Sequence, residues 1–504
     1  MSDQNNYILT IDLSSNYVKV ALISENLTLE SNYSDNIIII NEDIDGFAKR
    51  FDMDNLLNKI IVGIKSVFQN IKTKNFNIIG ISSCAQRIAT VFIDKEGGVI
   101  YGGPNTDLRG IDSAYIIEDE FTEEEFFKIT GHSPSLLFPL ARLLWFKEEK
   151  PNLYERLNKV LMLDDWLVYF LSGELCSDVS SSAESQILDI GKLQWSSEII
   201  QTFDLNPDFF PKLVNSGSII GELKPELANK FEIKNKAVPI IKTGGDTQAS
   251  LLGMGAINQG DIGITLGTTA PVQLVIDKPV FDPNCNYWSS CHCVPNKWII
   301  ESHSGSTGAA YNWFKNSFLS EITNDPDNLI EKYIKNSTPG AFSTYAYLGP
   351  EHMNIKNQTS IKRGVFIFQP PSMVAEELPK MQNFARSVLE NIAFGILENF
   401  QALKNYYNSN IRTFCAGGMA KSSEFCKILA NVLNIQLAAP HIKESSFIGA
   451  AINTLIGLKY FSDYNSVIEN YLKFEYYKPE SSLSKLYKNV YNEWKNLKHK
   501  IDDL

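Results

Sequence analysis

Few cysteines, no long apolar run and no excess of positive charge characterise this chain of 504 residues. Its seven cysteines are odd in number and widely scattered, which fits reduced thiols and excludes a disulfide framework. The densest apolar stretch, Ile37 to Ile40, falls far short of the roughly 20 residues that span a bilayer. A net charge of −12 excludes a general binder of the phosphate backbone, because affinity for nucleic acid rests on lysine and arginine. The opening, Met1 to Asn6, has no basic segment leading into an apolar stretch, so no secretory leader is read there and a cytoplasmic location is expected. Two common nucleotide fingerprints, GxxxxGK[ST] and GxGxxG, are also missing. Gly253-Met254-Gly255 has neither the third glycine nor a preceding strand.

What is present is an ordinary globular composition, 44% apolar and 21% charged, over a length that suits two large domains better than one core. Tyr7–Asp12 and Tyr17–Ser24 read as a hairpin, Asn36–Ile40 as a third strand, and Leu56–Gln69 as an amphipathic helix. Leu161–Leu171 and Ala385–Tyr407 are expected as helices, Val238–Lys242, Asp261–Leu266, Pro271–Ile276 and Thr413–Ala416 as strands. After Gly457 the chain reads as packed surface helices. Cys285, Cys291, His292 and Cys293 cluster, but Cys-His-Cys in direct succession points side chains to alternate strand faces, so a hairpin strand is expected there and no metal site.

Three glycine-bearing segments stand out in a fixed order. Ile8 to Ser15 is an apolar run closed by Asp12, Ser14 and Ser15; Gly244-Gly245-Asp246-Thr247-Gln248 precedes Leu266-Gly267-Thr268-Thr269; Ala416-Gly417-Gly418-Met419 comes late. A strand that ends in a carboxylate and small hydroxyl residues delivers amides for a phosphate and an oxygen ligand for its metal. Finding that device near residue 12 and again near residue 267 suggests two related halves serving one nucleotide. Gly417-Gly418 leaves a strand and enters a helix, where a flat base can lie against bare backbone. Asp246 ends the segment after two glycines that clear space for a ligand, and an alcohol needs such a base within reach before it attacks a phosphorus. The competing reading of Asp246 is a helix cap.

In this order the segments resemble the FGGY family of carbohydrate kinases, together with Leu171 to Glu174, Ser177 to Ser180, Ile428 to Leu433 and Glu444 to Ala451. The resemblance covers about Tyr7 to Gly457. It implies an α/β fold of two actin/hexokinase-like (ribonuclease H-like) ATPase domains with a cleft between them, expected over 1–245 and 246–457, with a helical tail over 458–504. It also implies an ATP- and Mg²⁺-dependent transfer of the γ-phosphoryl group to a small sugar or polyol, with Asp246 as general base and Asp12 with Asp246 at the metal. ATP contacts are implied at Ser14, Ser15, Gly267, Thr268, Gly308, Asn312, Gly417, Gly418 and Ser422. Substrate contacts are implied at Gln86, Arg87, Asp107, Arg109, Asp246 and Gln248. The family's usual Gly-Thr is Ser14-Ser15 here, and its third late glycine is Met419.

Gln86-Arg87 looks like the glycerol-kinase pattern, but Ile88 replaces the Glu that follows there, and Asn105 and Leu137 replace aromatic residues. Glycerol is therefore disfavoured. Asn105-Thr106-Asp107-Leu108-Arg109 is similar to the autoinducer-2 kinases, so the linear form of that signal stands beside xylulose or another pentulose. A homodimer is allowed, and no nucleic-acid or membrane partner is expected. Two other functions stay open on the same fold: a non-catalytic regulator that binds ATP or sugar, and a chaperone-like or actin-like ATPase.

Overall fold

The computed structural model describes residues 5–71, 75–234, 237–353, 363–372, 377–407 and 409–501. Residues 1–4 of the opening and 502–504 of the tail lie outside the described residues. The chain divides into two compact units. The first takes residues 1–257, 275–299 and 444–472, the second 258–274, 300–443 and 473–504.

In the first unit, β1 (Asn5–Leu13), β2 (Tyr17–Ser24), β3 (Leu29–Asn36), β4 (Phe76–Ala85), β5 (Ile219–Glu222) and β6 (Pro239–Gly245) form one sheet in the order β5-β6-β4-β1-β2-β3. Strand β1 is buried from Tyr7 to Leu13 because it is a central strand covered on both faces, which is what its nearly unbroken apolar run requires. Helix α1 (Met53–Asn70) lays Leu56, Ile60, Ile64 and Val67 against the sheet at helical spacing, and its N-cap Asp52 accepts from the Asn55 amide at 3.0 Å. Helices α2 (Leu163–Ser172) and α3 (Asp246–Gly253) follow. The register matters most. Asp12 lies beside Cys84 in the parallel β1/β4 pair, and Gly244 and Gly245 lie beside Cys84 and Ala85 in the parallel β6/β4 pair. Three parallel strands thus end together, the edge at which open α/β sheets place ligands.

The second unit repeats this topology. Strands β7 (Asp261–Thr265), β8 (Pro271–Ile276), β9 (Trp298–His303), β10 (Arg412–Ala416), β11 (Leu437–Pro440) and β12 (Phe474–Tyr477) run in the order β9-β8-β7-β10-β11-β12. As in the first sheet, a hairpin (β7/β8) is followed by two parallel neighbours (β10, β11) and an antiparallel edge strand. Helices α4 (Thr307–Phe314), α5 (Pro326–Lys335), α6 (Met381–Leu403) and α7 (Ser423–Leu433) complete the part that bears on function. Among the described residues no helix is long and apolar enough to cross a membrane.

The division differs from the contiguous one expected at 1–245, 246–457 and 458–504. Helix α8 (Ser445–Gly457) returns to the first unit and packs on α3. The approach is backbone to backbone: a Cβ on Gly253 would lie 1.8 Å from the Ser445 carbonyl oxygen, and one on Gly449 would lie 1.9 Å from that of Ala249. The tail is not purely helical either. Phe474–Tyr477 is a strand paired with β11, and only then does α9 (Ser481–Ile501) begin. Two further elements shift. The third strand is Leu29–Asn36, whose alternating polar residues face solvent and hide its signal, and the stretch expected as that strand holds a separate short one, Ile39–Asn41, paired with Lys49–Phe51. The apolar run expected as one helix over Leu161–Leu171 splits into a strand, Leu157–Met162, and α2, since periodicity alone does not separate short buried runs.

Candidate active site

The first unit's site grows from the ends of β1, β4 and β6. Asp12 is buried on β1 and accepts from the Ser446 hydroxyl at 2.7 Å through Oδ2, while its other oxygen, Oδ1, is buried without a hydrogen-bond partner. Lys19 stands directly across the β1/β2 hairpin, with its ammonium 3.4 Å from Asp12 Oδ2. Asp12 holds the Lys19 ammonium above its usual range against the opposing pull of burial, and Asp246 adds to the effect. Asp246 opens α3 and accepts from the Thr247 hydroxyl at 3.1 Å. Burial and then the charge of Asp12 push its carboxyl up to about 7, with Arg87 and Lys19 opposing. Two oxygen-donor side chains that repel each other, one with a buried unpaired oxygen, fit a small hard cation such as Mg²⁺.

The other expected residues of this unit fall into separate groups. Gln86 braces the first turn: its amide nitrogen donates to the Ser14 carbonyl at 3.2 Å and its oxygen accepts from Asn105 N at 3.1 Å. Ser14 donates to the Tyr17 carbonyl through both its amide and its hydroxyl, and the Ser15 hydroxyl accepts from Asn105 Nδ2 at 3.0 Å. Arg87 and Gln248 converge on Glu184. Gln248 Nε2 donates to Glu184 Oε1 at 2.9 Å, and Arg87 Nη1 lies 3.6 Å from that oxygen. Asp107 and Arg109 pair with each other at 2.7 Å, and their side-chain bonds run on to Tyr101, Lys49 and Glu42 rather than to Asp246.

Behind Asp246, on the strand that leads into it, Lys242 is fully buried and bonded to Asp164 and Asp165, with Asp178 Oδ1 at 3.9 Å. The three carboxylates have the spacing of a metal site, but the lysine ammonium sits among them. Burial pushes Asp165 up to about 7 and raises Asp164 as well, while the carboxylates hold the lysine charged. Nearby, His292 Nε2 meets the Ala256 carbonyl at 3.1 Å and Nδ1 accepts from the Val294 amide at 2.8 Å, so both ring nitrogens serve backbone. Cys285, Cys291 and Cys293 are buried, and Trp288–Cys291 is a strand.

The second unit carries a cavity of about 610 Å³ lined by Gly267, Thr268, Gly308, Asn312, Gly418 and Ser422 among others. Six of the nine residues expected at ATP thus meet in one place, and Gly417 lies directly behind it. Gly417 has φ +106°, and a Cβ there would lie 2.6 Å from the Leu266 carbonyl oxygen. Gly418 has no atom within 4 Å of its would-be Cβ. The pair therefore separates structure from binding. Gly417→Ala is expected to lose about 1–2 kcal/mol of stability, read as a lower melting midpoint. Gly418→Ala should keep the wild-type midpoint and raise KM for the nucleotide by narrowing the cavity. Equal midpoints for both variants would contradict the geometry. The wall also holds Tyr311, Lys315, Asp327 and Glu331, which the sequence does not single out. Ser422 caps α7 and donates to Glu331, while Asp327 accepts from Tyr311 at 2.8 Å and Lys315 at 2.9 Å.

The chain resembles known proteins in both sequence and fold. A model of the FGGY family of carbohydrate kinases, N-terminal domain, matches residues 7–253, and its C-terminal domain counterpart matches 262–458. The Bacillus subtilis protein named sugar kinase YoaC is 30% identical over 371 residues, covering 73% of each chain. The autoinducer-2 kinase of Salmonella paratyphi B is 26% identical over 423 residues, 82% of this chain and 78% of its own. The fold matches xylulose kinase from Lactobacillus acidophilus with a TM-score of 0.84 at 17% identity, over 99% of this chain and 98% of that one. Plasmodium falciparum glycerol kinase matches with a TM-score of 0.83 at 18% identity, over 97% of both chains. Both halves of the family's model are filled in order: the chain belongs to the FGGY family of carbohydrate kinases.

Proposed function

We propose that this kinase transfers the γ-phosphoryl group of ATP to a hydroxyl of a small sugar, with Asp246 as general base. The observation that carries the reading is the placement of Asp246 at the shared end of three parallel strands, near Asp12 and Lys19. A carboxylate there stands ready to take the proton of an attacking hydroxyl. The sugar hydroxyl gives its proton to Asp246 as its oxygen bonds to phosphorus and the bond to the ADP oxygen breaks. Lys19 offsets the negative charge gathered by two carboxylates and the transferring group. Amides and hydroxyls of Gly267-Thr268 serve the phosphates, and Gly418 admits the nucleoside.

Mg²⁺ would be held by Asp12 and Asp246, where it neutralises phosphate charge. Asp12→Asn keeps shape but removes one anionic oxygen donor, so the Mg²⁺ concentration for half-maximal rate should rise at least several-fold, with an unchanged melting midpoint. An unchanged Mg²⁺ dependence would reduce Asp12 to a turn residue paired with Lys19.

The acceptor is read as the linear form of autoinducer-2, xylulose or another pentulose, with glycerol less favoured because Ile88, Asn105 and Leu137 depart from the glycerol-kinase pattern. ADP release screened over glycerol, pentuloses, hexuloses, gluconate and linear autoinducer-2 tests the reading. Sugar-dependent release is expected. Release without sugar would indicate an ATPase, and nucleotide binding with no release under any acceptor would indicate a regulator.

A further inference from the structure

Glu184 takes no part in the transfer step, yet it is fully buried among polar groups that converge beside Asp246. Its Oε1 accepts from Gln248 Nε2 and from the Ser290 hydroxyl, both at 2.9 Å. Its Oε2 is buried with no hydrogen bond, the nearest ionisable group being His132 Nε2 at 3.7 Å, and Gln248 Oε1 is also buried without a hydrogen bond. Gln248 lies two residues past Asp246 on α3, and its Oε1 is 2.4 Å from where a Cβ on Gly245 would stand. Arg87 reaches Glu184 from the end of β4, with its guanidinium over the Trp288 ring at 6.0 Å.

A buried acceptor without a hydrogen bond costs about 1–3 kcal/mol, and these two, one of them with only the His132 ring nitrogen at 3.7 Å, leave acceptor capacity beside the proposed base for donors from a ligand. Sugar hydroxyls are such donors. A carboxylate acceptor has a second consequence. It bonds well to neutral hydroxyls and repels a substrate that carries its own carboxylate, and Glu184 also offsets the charge of Arg87 that an acidic sugar would use. We infer that Glu184, with Gln248, reads a pair of hydroxyls on a neutral ketose or polyol and excludes aldonic acids from this site. The inference rests on the kinase reading above and sharpens its substrate class.

The test compares ADP release with D-xylulose, D-ribulose and D-fructose against D-gluconate, in wild type and in Glu184→Gln. Wild type should turn over at least one neutral ketose and leave D-gluconate untouched. Glu184→Gln should raise KM for that ketose about tenfold to a hundredfold, the worth of a hydrogen bond to a charged group. KM for ATP and kcat should stay near wild type, and the preference over D-gluconate should narrow. Ser290→Ala removes a donor to Oε1 but leaves Oε2 in place, so it should keep the wild-type sugar KM. An unchanged sugar KM in Glu184→Gln, an equal rise in Ser290→Ala, or wild-type use of D-gluconate on a par with the ketoses overturns the inference and leaves the kinase reading standing. If Glu184→Gln does not fold, the wild-type comparison decides alone. No ADP release with any acceptor overturns the kinase reading and this inference together.

Discussion

Asp246→Asn is expected to lower kcat about 10²–10⁴-fold, the usual worth of general-base catalysis, while KM for sugar and ATP moves little. Asparagine keeps the shape of the side chain and its bond to Thr247. What it loses is the ability to accept a proton, an interaction made only as the hydroxyl attacks, so the loss falls on kcat. Because burial and Asp12 set the proton affinity of Asp246, relief of that mutual repulsion should also stabilise the folded variant slightly. The measurement is steady-state turnover with the sugar found by the screen. A variant that keeps more than about a tenth of wild-type kcat, against that expected loss, moves the base elsewhere and leaves Asp246 as a helix-opening residue.

The second large effect falls on stability. Lys242→Met should destabilise the protein by about 3–5 kcal/mol, the cost of breaking a buried ion pair from one side. The lysine is buried, its charge is held by Asp164 and Asp165, and Asp178 stands 3.9 Å away. Its removal leaves those carboxylates facing one another. Asp178 retains the Ser180 hydroxyl at 2.7 Å and the Ser216 hydroxyl at 3.0 Å, but Asp164 and Asp165 have less to fall back on. They escape by taking up protons, so the deficit should shrink as pH falls. Thermal melting of both proteins at pH 5.5 and 8 checks this. A midpoint within a degree of wild type at both pH values would mean that the cluster contributes nothing to holding β6.

How far the sequence could be read follows from how local each signal is. The turn after β1, the Gly244-Gly245-Asp246 segment and the Gly417-Gly418 pair are each a strand end followed by its ligand-facing turn, so their chemistry is compressed into a few neighbouring residues. Six of the residues expected at ATP from such segments and their neighbours line one cavity. Lys19 was equally legible but overlooked: once Tyr7–Asp12 and Tyr17–Ser24 are a hairpin, register makes Asp12 and Lys19 opposite partners, where unlike charges stabilise the pair. Glu184, Lys242 and Glu331 were not legible, since each draws its meaning from groups tens of residues away. The same is true of the discontinuous first unit. Nothing near Ser445 says that α8 must lie on α3, and only the mutual approach at Gly253 and Gly449 shows why both are glycine.

The central claim is tested most directly by following ATP, Mg²⁺ and the sugar from the screen with phosphorus NMR in a single reaction. One sugar phosphate should appear for each ADP formed, both signals should vanish when the sugar is left out, and Asp246→Asn should slow both together. ADP that forms without a sugar phosphate, or sugar phosphate that forms at an undiminished rate in Asp246→Asn, would contradict it.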